Sequence, residues 1–213
     1  MFIVIEGIDG AGCETQAKNL YQMYKDKSRL VPTLIKYPHY DDSVGKMIKD
    51  FLYKNKNLSA EEQFLLYSLQ FIHDAPKIRQ FKFTNSLPRR QAGQLSTPNY
   101  LIADRYFTST LCYQILEGVD LEAALRFADD FGIVKPDLVF YLDVKPDIAI
   151  KRKSGEAKEK NRREKDFAFI KKTYDQYDKL IKDQVWTKWV RIDGNKSVEK
   201  VTKDIYNKIS ADY

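Results

Sequence analysis

The sequence predicts an α/β fold in which a five-stranded parallel sheet is flanked by helices on both sides. Five short apolar runs are typical of strands whose two faces are both buried. Helical patterns separate each run from the next, and parallel strands need long crossovers of this kind. Because ligands bind beyond the carboxyl ends of the strands in such sheets, the residues that directly follow the strands are expected to form the functional site.

Each predicted strand is a run of five to seven residues rich in aromatic, β-branched and leucine side chains. Such short, continuous hydrophobic runs are typical of strands rather than of helices. A strand of this kind opens the sequence, so the N-terminus lacks the pattern of a signal peptide. The predicted strands are FIVIE (2–6), TLIKY (33–37), YLIAD (100–104), LVFYLDV (138–144) and WVRID (189–193).

The helices are predicted from apolar side chains that recur at helical spacing. Asp120 and Ser197 are suited to cap two helices at their N-termini, and Gly132 is suited to end the helix that begins at Asp120. The helical segments are predicted at 15–27, 43–54, 60–81, 108–117, 120–131, 146–153, 164–183 and 197–209.

One stretch is predicted to be an exposed loop. Residues 84–99, TNSLPRRQAGQLSTPN, are rich in Pro, Gly, Ser and Asn, which favour turns over regular structure. Its Arg89 and Arg90 are expected to face solvent rather than a ligand.

The composition is that of a folded protein without a membrane anchor. Of 213 residues 43% are hydrophobic and 31% are charged, which is enough for a core and argues against disorder. The longest apolar runs are too short to span a bilayer. Cys13 and Cys112 are too few for a disulfide framework, and reduced thiols are typical of a reducing compartment. We therefore expect a cytoplasmic protein with no membrane partner.

The net charge of +6 comes from a single segment. Residues 151–172 carry ten Lys or Arg and four Asp or Glu, and the rest of the chain sums to zero. An anion is therefore expected to bind at this segment. Nucleic acid is not expected as a partner, because Phe167 and Phe169, the aromatic residues of the segment, are placed as helix core.

A glycine-rich stretch, EGIDGAGCETQ, follows the first predicted strand. Gly7 and Gly12 have the G-x-x-x-x-G spacing, with Gly10 between them. A strand, a glycine turn and a helix are together the context in which backbone N–H groups and a helix N-terminus bind phosphate. The Lys and the Ser or Thr that complete this motif are replaced by Cys13 and Glu14. The glycines alone are weak evidence, because glycines after a strand more often form a plain tight turn.

Three further stretches make the pattern specific. KYP (36–38), DRYFTSTLCYQ (104–114) and KRKSGEAKEKNRRE (151–164) follow the glycine loop in this order. Together these stretches resemble the thymidylate kinase family of P-loop nucleoside monophosphate kinases, over nearly the whole chain. The resemblance implies the three-layer fold of these kinases, one domain over 1–213 with a basic lid at about 151–164, and a homodimer. It also implies phosphate transfer from ATP to dTMP with Mg²⁺ as cofactor.

The resemblance gives roles to the charged residues at the strand ends. Asp9 is expected to lie at the substrate sugar and phosphate, and Arg105 to clamp the substrate phosphate beside the transferred group. Lys36 is expected to reach the acceptor phosphate, and Asp104 to act on magnesium through water. A turn-forming role for Asp9 and a strand-end ion pair between Arg105 and Asp104 are the simpler alternatives.

Nucleoside contacts are expected from two helices. Ser109 and Tyr113 share one helical face, and Gln114 follows them in a helix that contacts the nucleoside in the family. Tyr67 matches the aromatic residue that stacks on thymine. A role in the core is the alternative for both tyrosines.

The resemblance also implies an ATP site formed by the glycine loop and the lid. Cations of the lid would fold over the phosphates, exclude water and add positive charge. Arg152 is expected to bind ATP and Arg162, in NRRE, to act in catalysis, with Lys158, Lys160 and Arg163 as further candidates. The alternative to a lid is a solvent-exposed helix face in which Glu residues alternate with the Lys and Arg residues. The ATP-binding residues expected in the loop are Gly7, Gly10, Ala11, Gly12, Cys13, Glu14 and Thr15.

The chain departs from the family at the end of the glycine loop. Cys13 and Glu14 change the local charge by −2 relative to Lys-Ser. Lys18, four residues after Glu14, would neutralise it locally. Alternatively Glu14 would offer a hard oxygen to magnesium, or Thr15 would supply the hydroxyl, and the lid would replace the missing ammonium. At a helix N-terminus the pKa of the Cys13 thiol is expected to be lowered.

A third departure is Phe71, which stands where the family commonly has an Arg that reads the thymine carbonyl. The base would then stack between Tyr67 and Phe71. Thymidylate remains the first candidate substrate, followed by other pyrimidine monophosphates. A non-catalytic nucleotide-binding protein is the alternative function that Cys13 and Glu14 favour.

Overall fold

The predicted α/β architecture is confirmed. The computed structural model describes residues 1–26, 32–54, 56–86, 100–155 and 161–212. In these residues five parallel strands form one sheet in the order β2-β3-β1-β4-β5. The strands are β1 (Phe2–Glu6), β2 (Thr33–Lys36), β3 (Leu101–Asp104), β4 (Leu138–Asp143) and β5 (Trp189–Asp193), each within one residue of its predicted bounds.

The register of the sheet places the carboxyl ends of β1, β2 and β3 side by side at one edge. Ile5 of β1 and Lys36 of β2 both pair with Asp104 of β3. The connection from β1 leads to β2 on one side, whereas β4 pairs with β1 on the other side. The carboxyl end of β1 is therefore a topological switch point, where sheets of this kind open a crevice for ligands.

The helices cover both faces of the sheet, as the rule of right-handed crossovers requires. Helix α1 packs against α9, and α4 packs against α3, α5 and α8. No helix within the described ranges is both long and apolar enough to cross a membrane. The helices are α1 (Cys13–Lys25), α2 (Ser43–Tyr53), α3 (Ala60–Ser86), α4 (Phe107–Leu116), α5 (Leu121–Asp130), α6 (Pro146–Ser154), α7 (Arg162–Lys165), α8 (Phe167–Lys182) and α9 (Val198–Asp212).

Three helices run two or more residues beyond a predicted bound: α1 at its start, α3 at its end, and α9, which continues to Asp212. Helix α1 begins at Cys13, two residues early, because Gly12 in a left-handed conformation turns the chain directly from the loop into the helix. Helix α3 continues to Ser86 through Pro76, so the first three residues of the predicted loop 84–99 are helical. The rest of that loop, with Arg89 and Arg90, lies outside the described residues.

The single helix predicted over 164–183 is instead two helices, α7 and α8. Asn161 and Glu164 form a reciprocal capping box that starts α7. Asp166 then leaves the helical conformation, and its carboxylate accepts a hydrogen bond from Phe169 N to start α8. The prediction was wrong here because two local caps within five residues outweigh the continuous helical pattern.

The predicted helix caps at Asp120, Ser197 and Gly132 are confirmed. The Asp120 carboxylate accepts from Ala123 N at 2.8 Å and the Ser197 hydroxyl accepts from Lys200 N at 3.4 Å. Gly132 has a φ of 64° just after the end of α5, the left-handed conformation that closes a helix.

Candidate active site

A cavity of about 1040 Å³ opens at the carboxyl ends of β1, β2 and β3. Its walls come from the glycine loop, helices α3 and α4, and the segment around α6 and α7. Every residue predicted to bind ATP, substrate or metal lines this cavity except Gly7, and the catalytic candidate Arg162 does not line it. The fold thus brings together residues that are distant in the sequence.

The glycine loop leaves the first turn of α1 open to a ligand. Gly10 and Gly12 have φ values of 90° and 98°, which side chains rarely adopt. A Cβ at Gly10 would lie 2.3 Å from the carbonyl oxygen of Ala149, whereas a Cβ at Gly12 would meet no atom within 4 Å. No side chain caps the helix at Gly12, so the first-turn N–H groups can donate hydrogen bonds to an anion.

Cys13 is turned into the protein rather than toward solvent. Its thiol is buried, and a Cβ on Gly7 would lie 3.1 Å from its sulfur. Burial raises the pKa of the Cys13 thiol well above its usual range, and the Asp104 carboxylate adds to the shift. The expectation of a lowered pKa at the helix N-terminus was therefore wrong, because loss of hydration outweighs the helix dipole.

Glu14 is held by two lysines. Its Oε1 lies 2.6 Å from Lys18 Nζ and its Oε2 lies 2.6 Å from Lys36 Nζ. The hydrogen bonds from Lys18 and then Lys36 lower the pKa of Glu14 to about 2. The predicted pairing with Lys18 is confirmed, while the contact with Lys36 of β2 was not predicted.

Asp104 is a buried carboxylate beside the same ammonium group. Burial raises its pKa to about 6, although Arg105 and Lys36 oppose the shift. Asp104 Oδ2 lies 3.8 Å from Lys36 Nζ, so Lys36 is shared between two carboxylates. Within the described residues no three His, Cys, Asp or Glu side chains are grouped as a metal site. A magnesium ion here would keep water or phosphate oxygens as its other ligands, as this ion commonly does.

Arg105 pairs with Asp9 across the cavity floor. Arg105 Nη2 lies 2.8 Å from Asp9 Oδ1, and Nη1 lies 3.4 Å from the Tyr113 hydroxyl. Arg105 has a φ of 64°, a left-handed backbone that turns the guanidinium away from the strand direction. The N–H donors of the Arg105 guanidinium thus face the cavity, where they pair with the Asp9 carboxylate.

The aromatic wall of the cavity comes from α3. Tyr67 is half-buried and Phe71, one turn later, is buried against the rings of Tyr37 and Tyr106 at 4.8 and 5.0 Å. Between them Gln70, which the sequence did not single out, lines the cavity and donates from Nε2 to the His39 carbonyl at 2.7 Å. Phe71 is therefore a core side chain with one edge at the site.

The arginines of the predicted lid have separate partners. Arg162 donates to the Lys56 carbonyl at 2.9 Å and lies 4.8 Å from the Phe51 ring, so it docks on α2. Arg163 lines the cavity, and it contacts Gln63 Oε1 at 2.7 Å.

Arg152 also lines the cavity and donates to the Gly194 carbonyl at 3.1 Å. Residues 156–160 of the predicted lid, with Lys158 and Lys160, lie outside the described residues. Arg152 and Arg163, rather than Arg162, are thus the described arginines of this segment that face the cavity.

Comparison with known proteins agrees with this geometry. Residues 5–205 match the sequence profile of thymidylate kinases. A probable thymidylate kinase of Thermococcus kodakarensis is 33% identical over 216 residues, covering 96% of this chain and 95% of that protein. The thymidylate kinase of Danio rerio is 29% identical, covering 95% and 86%. The chain belongs to the thymidylate kinase family. Enzymes of this family are phosphotransferases that convert dTMP to dTDP with ATP.

A solved thymidylate kinase shares the fold. The structure of thymidylate kinase from Candida albicans superposes with a TM-score of 0.71 at 22% identity. The match covers 99% of this chain and 91% of that one. The three-layer arrangement of the family is therefore present here.

One central residue of this thymidylate kinase fold was missed from the sequence. Glu6 ends β1 and is buried completely. Its carboxylate accepts from Tyr106 N at 3.1 Å, Thr108 Oγ1 at 2.6 Å, and Ser109 Oγ and the Tyr177 hydroxyl, both at 2.7 Å. A charged residue at the end of an otherwise apolar strand was the available signal, since such a group must be paired when buried.

The two loop glycines provide a matched prediction for this kinase fold. Gly10→Ala is expected to cost more than about 3 kcal/mol, because the new Cβ meets backbone. Gly12→Ala has the same backbone strain without a clash, and it is expected to cost about 1–2 kcal/mol. Urea unfolding of both variants without nucleotide measures the difference. Equal losses would contradict the close approach between the loop and α6.

The Glu6→Gln variant is expected to lose about 2–4 kcal/mol of unfolding free energy, because the amide places an NH₂ group among four donors. Urea unfolding at neutral pH measures the loss. Asp50→Asn, at a partly exposed surface carboxylate paired with Lys54 and Lys56, is the control and is expected to shift the midpoint much less. An unchanged midpoint for Glu6→Gln would show that the carboxylate is not needed at this position.

Proposed function

We propose that this chain transfers the γ-phosphate of ATP to dTMP and releases dTDP and ADP. The observation that carries the proposal is one continuous cavity that joins the uncapped first turn of α1 to Arg105 and to the aromatic wall of α3. A helix N-terminus suits the phosphates of ATP, a guanidinium suits an acceptor phosphate, and aromatic side chains suit a base. Membership of the thymidylate kinase family supports the same assignment.

The charged groups of the cavity suit transfer without a covalent enzyme intermediate. An oxygen of the acceptor phosphate attacks the γ-phosphorus in line, the bond to the ADP oxygen breaks, and ADP leaves. Arg105 holds the acceptor phosphate, which replaces part of its pairing with Asp9, and Lys36 adds a second cation. Asp9 is then free to accept from the sugar hydroxyl.

Magnesium is the proposed cofactor, and Asp104 fits it better than Glu14 does. Both oxygens of Glu14 have an ammonium group at 2.6 Å, so a metal ion would have to displace a lysine from it. Asp104 has one ammonium at 3.8 Å and retains room for a water-mediated contact. When bound, the ion would neutralise phosphate charge during transfer.

Base selectivity is expected to favour pyrimidines without depending on an arginine. Phe71 gives an apolar edge at this wall, and Gln70 already donates from its nitrogen to His39, which leaves its oxygen as an acceptor. Thymine and uracil both carry an N3–H that suits an acceptor oxygen. The buried Gln114 amide also lines this region and can present either a donor or an acceptor.

The test is ADP release with ATP, magnesium and a panel of nucleoside monophosphates. Release that depends on dTMP is expected, with dUMP next and purine monophosphates last. Arg105→Met is expected to lower kcat/KM for dTMP by roughly 10²–10³-fold, because a charged phosphate clamp is lost. Arg126→Met, at an exposed position of α5, is the control. No release with any monophosphate would contradict the proposal.

A non-catalytic nucleotide-binding role is the second candidate, and the replacement of Lys-Ser by Cys13 and Glu14 favours it. It requires thermal stabilisation by ATP or dTMP without turnover. The monophosphate panel separates the two candidates, because only the kinase releases ADP.

The proposed partner, besides the two nucleotides, is a second copy of this chain. On α3 Leu65 and Leu69 are one turn apart and 51% and 47% exposed, which gives an apolar stripe on the outer face of the helix. Exposed apolar patches on a helix commonly mark a subunit interface. We therefore propose a homodimer that packs through α3.

The double variant Leu65→Glu/Leu69→Glu is expected to convert a dimer to a monomer, because four new charges would face each other across a two-fold axis. Light scattering after size exclusion measures the mass. Ile148→Glu, at an exposed apolar residue of α6, is the control. A wild-type monomer at micromolar concentration would contradict the proposed dimer.

A cytoplasmic location is proposed separately. Cys13 and Cys112 are both free and buried, as expected of thiols in a reducing compartment.

A further inference from the structure

The first turn of α1 lacks the ammonium group of the usual loop lysine, but another lysine lies beside it. Glu14 is the second residue of α1, and its carboxylate has a lysine on each oxygen. Lys18 reaches Oε1 from the next turn of the same helix, and Lys36 reaches Oε2 from the end of β2. The glutamate therefore links the loop to a different strand of the sheet.

The two lysines are held differently. Both line the cavity, with side chains 62% exposed for Lys18 and 51% for Lys36, and Lys18 pairs with Glu14 along the helix surface. Lys36 is level with Asp104 in the sheet and lies between two carboxylates, 2.6 Å from Glu14 and 3.8 Å from Asp104. Lys36 is thus fixed from two sides at the carboxyl edge where the cavity opens.

We propose that Glu14 is a positioning residue that holds the Lys36 ammonium beside the first turn of α1, where Lys36 supplies the positive charge that a loop lysine would give to the ATP phosphates. The proposal rests on the proposed function, because it requires the phosphates of ATP at that turn. It gives Lys36 contacts to both nucleotides, since the acceptor phosphate lies at the same strand end.

The contacts of the described lid arginines support this assignment. Arg162 is docked on α2, and Arg163 is bound to Gln63 and stacks on Phe169 at 4.3 Å. Arg152 is bound to Gly194. Lys36 needs no comparable displacement, because its ammonium already contacts a residue of the first helical turn.

The proposal predicts the direction in which Glu14→Gln changes the affinity for ATP. A carboxylate beside a polyphosphate repels it, so Glu14→Gln would tighten ATP binding if the charge of Glu14 acted alone. If Glu14 instead positions Lys36, the same substitution weakens binding, because the ammonium is released to solvent. The two outcomes have opposite signs.

The measurement is calorimetric titration with a non-hydrolysable ATP analogue, in the absence of dTMP and of turnover. Glu14→Gln is expected to weaken binding about fivefold, and Lys36→Met about tenfold or more, as expected for loss of a charge-assisted contact. Lys18 also lines the cavity, but Lys18→Met is expected to change affinity less than about twofold because its pair with Glu14 is exposed on the helix surface. Lys46→Met, at an exposed position of α2 outside the cavity lining, is the control. The side chains of Glu14, Lys18 and Lys36 are at least two-fifths exposed, so folding of the variants is expected and is checked by thermal unfolding.

A second measurement uses a variant that restores a lysine at the usual position in the loop. Adding Cys13→Lys to Lys36→Met is expected to restore affinity for the ATP analogue but not for dTMP, because the new lysine reaches only the loop phosphates. Restoration of neither affinity would overturn the shared role of Lys36.

The titrations are repeated in EDTA to separate positioning from metal ligation. Weaker binding of Glu14→Gln in both buffers supports positioning, whereas weakening with magnesium alone would overturn it in favour of a metal ligand. Tighter binding of Glu14→Gln, or an unchanged Lys36→Met, would overturn the inference while the proposed function stands. Absence of ATP binding by the wild type would overturn both.

Discussion

The completely buried carboxylate of Glu6 is the constraint on which the site depends. Removing a carboxylate from water costs several kcal/mol unless donors replace the water. The four donors come from the turn after β3, the start of α4 and the middle of α8. These three elements are thereby fixed to the end of β1, directly below the glycine loop. Ser109 gives its proton to Glu6, so its oxygen faces Arg105 as an acceptor at 3.5 Å.

The charges above Glu6 are paired with one another before any nucleotide binds. Asp9 holds Arg105, and Glu14 holds Lys36. On phosphate binding Arg105 would exchange part of its pairing with Asp9 for a phosphate, whereas Lys36 would keep Glu14 and add a phosphate. This arrangement keeps the cations oriented and limits the ordering that binding requires. It also explains how the loop tolerates Glu14, whose charge is balanced by lysines on both oxygens.

Local patterns in the sequence predicted most of the fold but only part of the site. The central strands β1, β3 and β4 were predictable because both of their faces are buried, which produces continuous apolar runs, whereas the edge strands β2 and β5 are partly exposed. The pair of Glu14 and Lys18 was predictable because four residues make one helical turn. The contact of Glu14 with Lys36 was not predictable, since it depends on β3 lying between β1 and β2 and on the register of these strands. The separate positions of Arg162 and Arg163 could not be predicted from charge alone, because they depend on the capping box that starts α7.

The position of Cys13 explains why the positive charge must come from elsewhere. Its side chain packs under the loop against Gly7, where a small thiol fits and loses contact with water. A lysine at this position instead extends its ammonium into the cavity, as in the usual phosphate loop. With a buried thiol at the base of the loop, Lys36 at the sheet edge is the proposed cation for the ATP phosphates. A cation shared in this way by two nucleotides links their affinities, because each ligand changes the charge that the other meets.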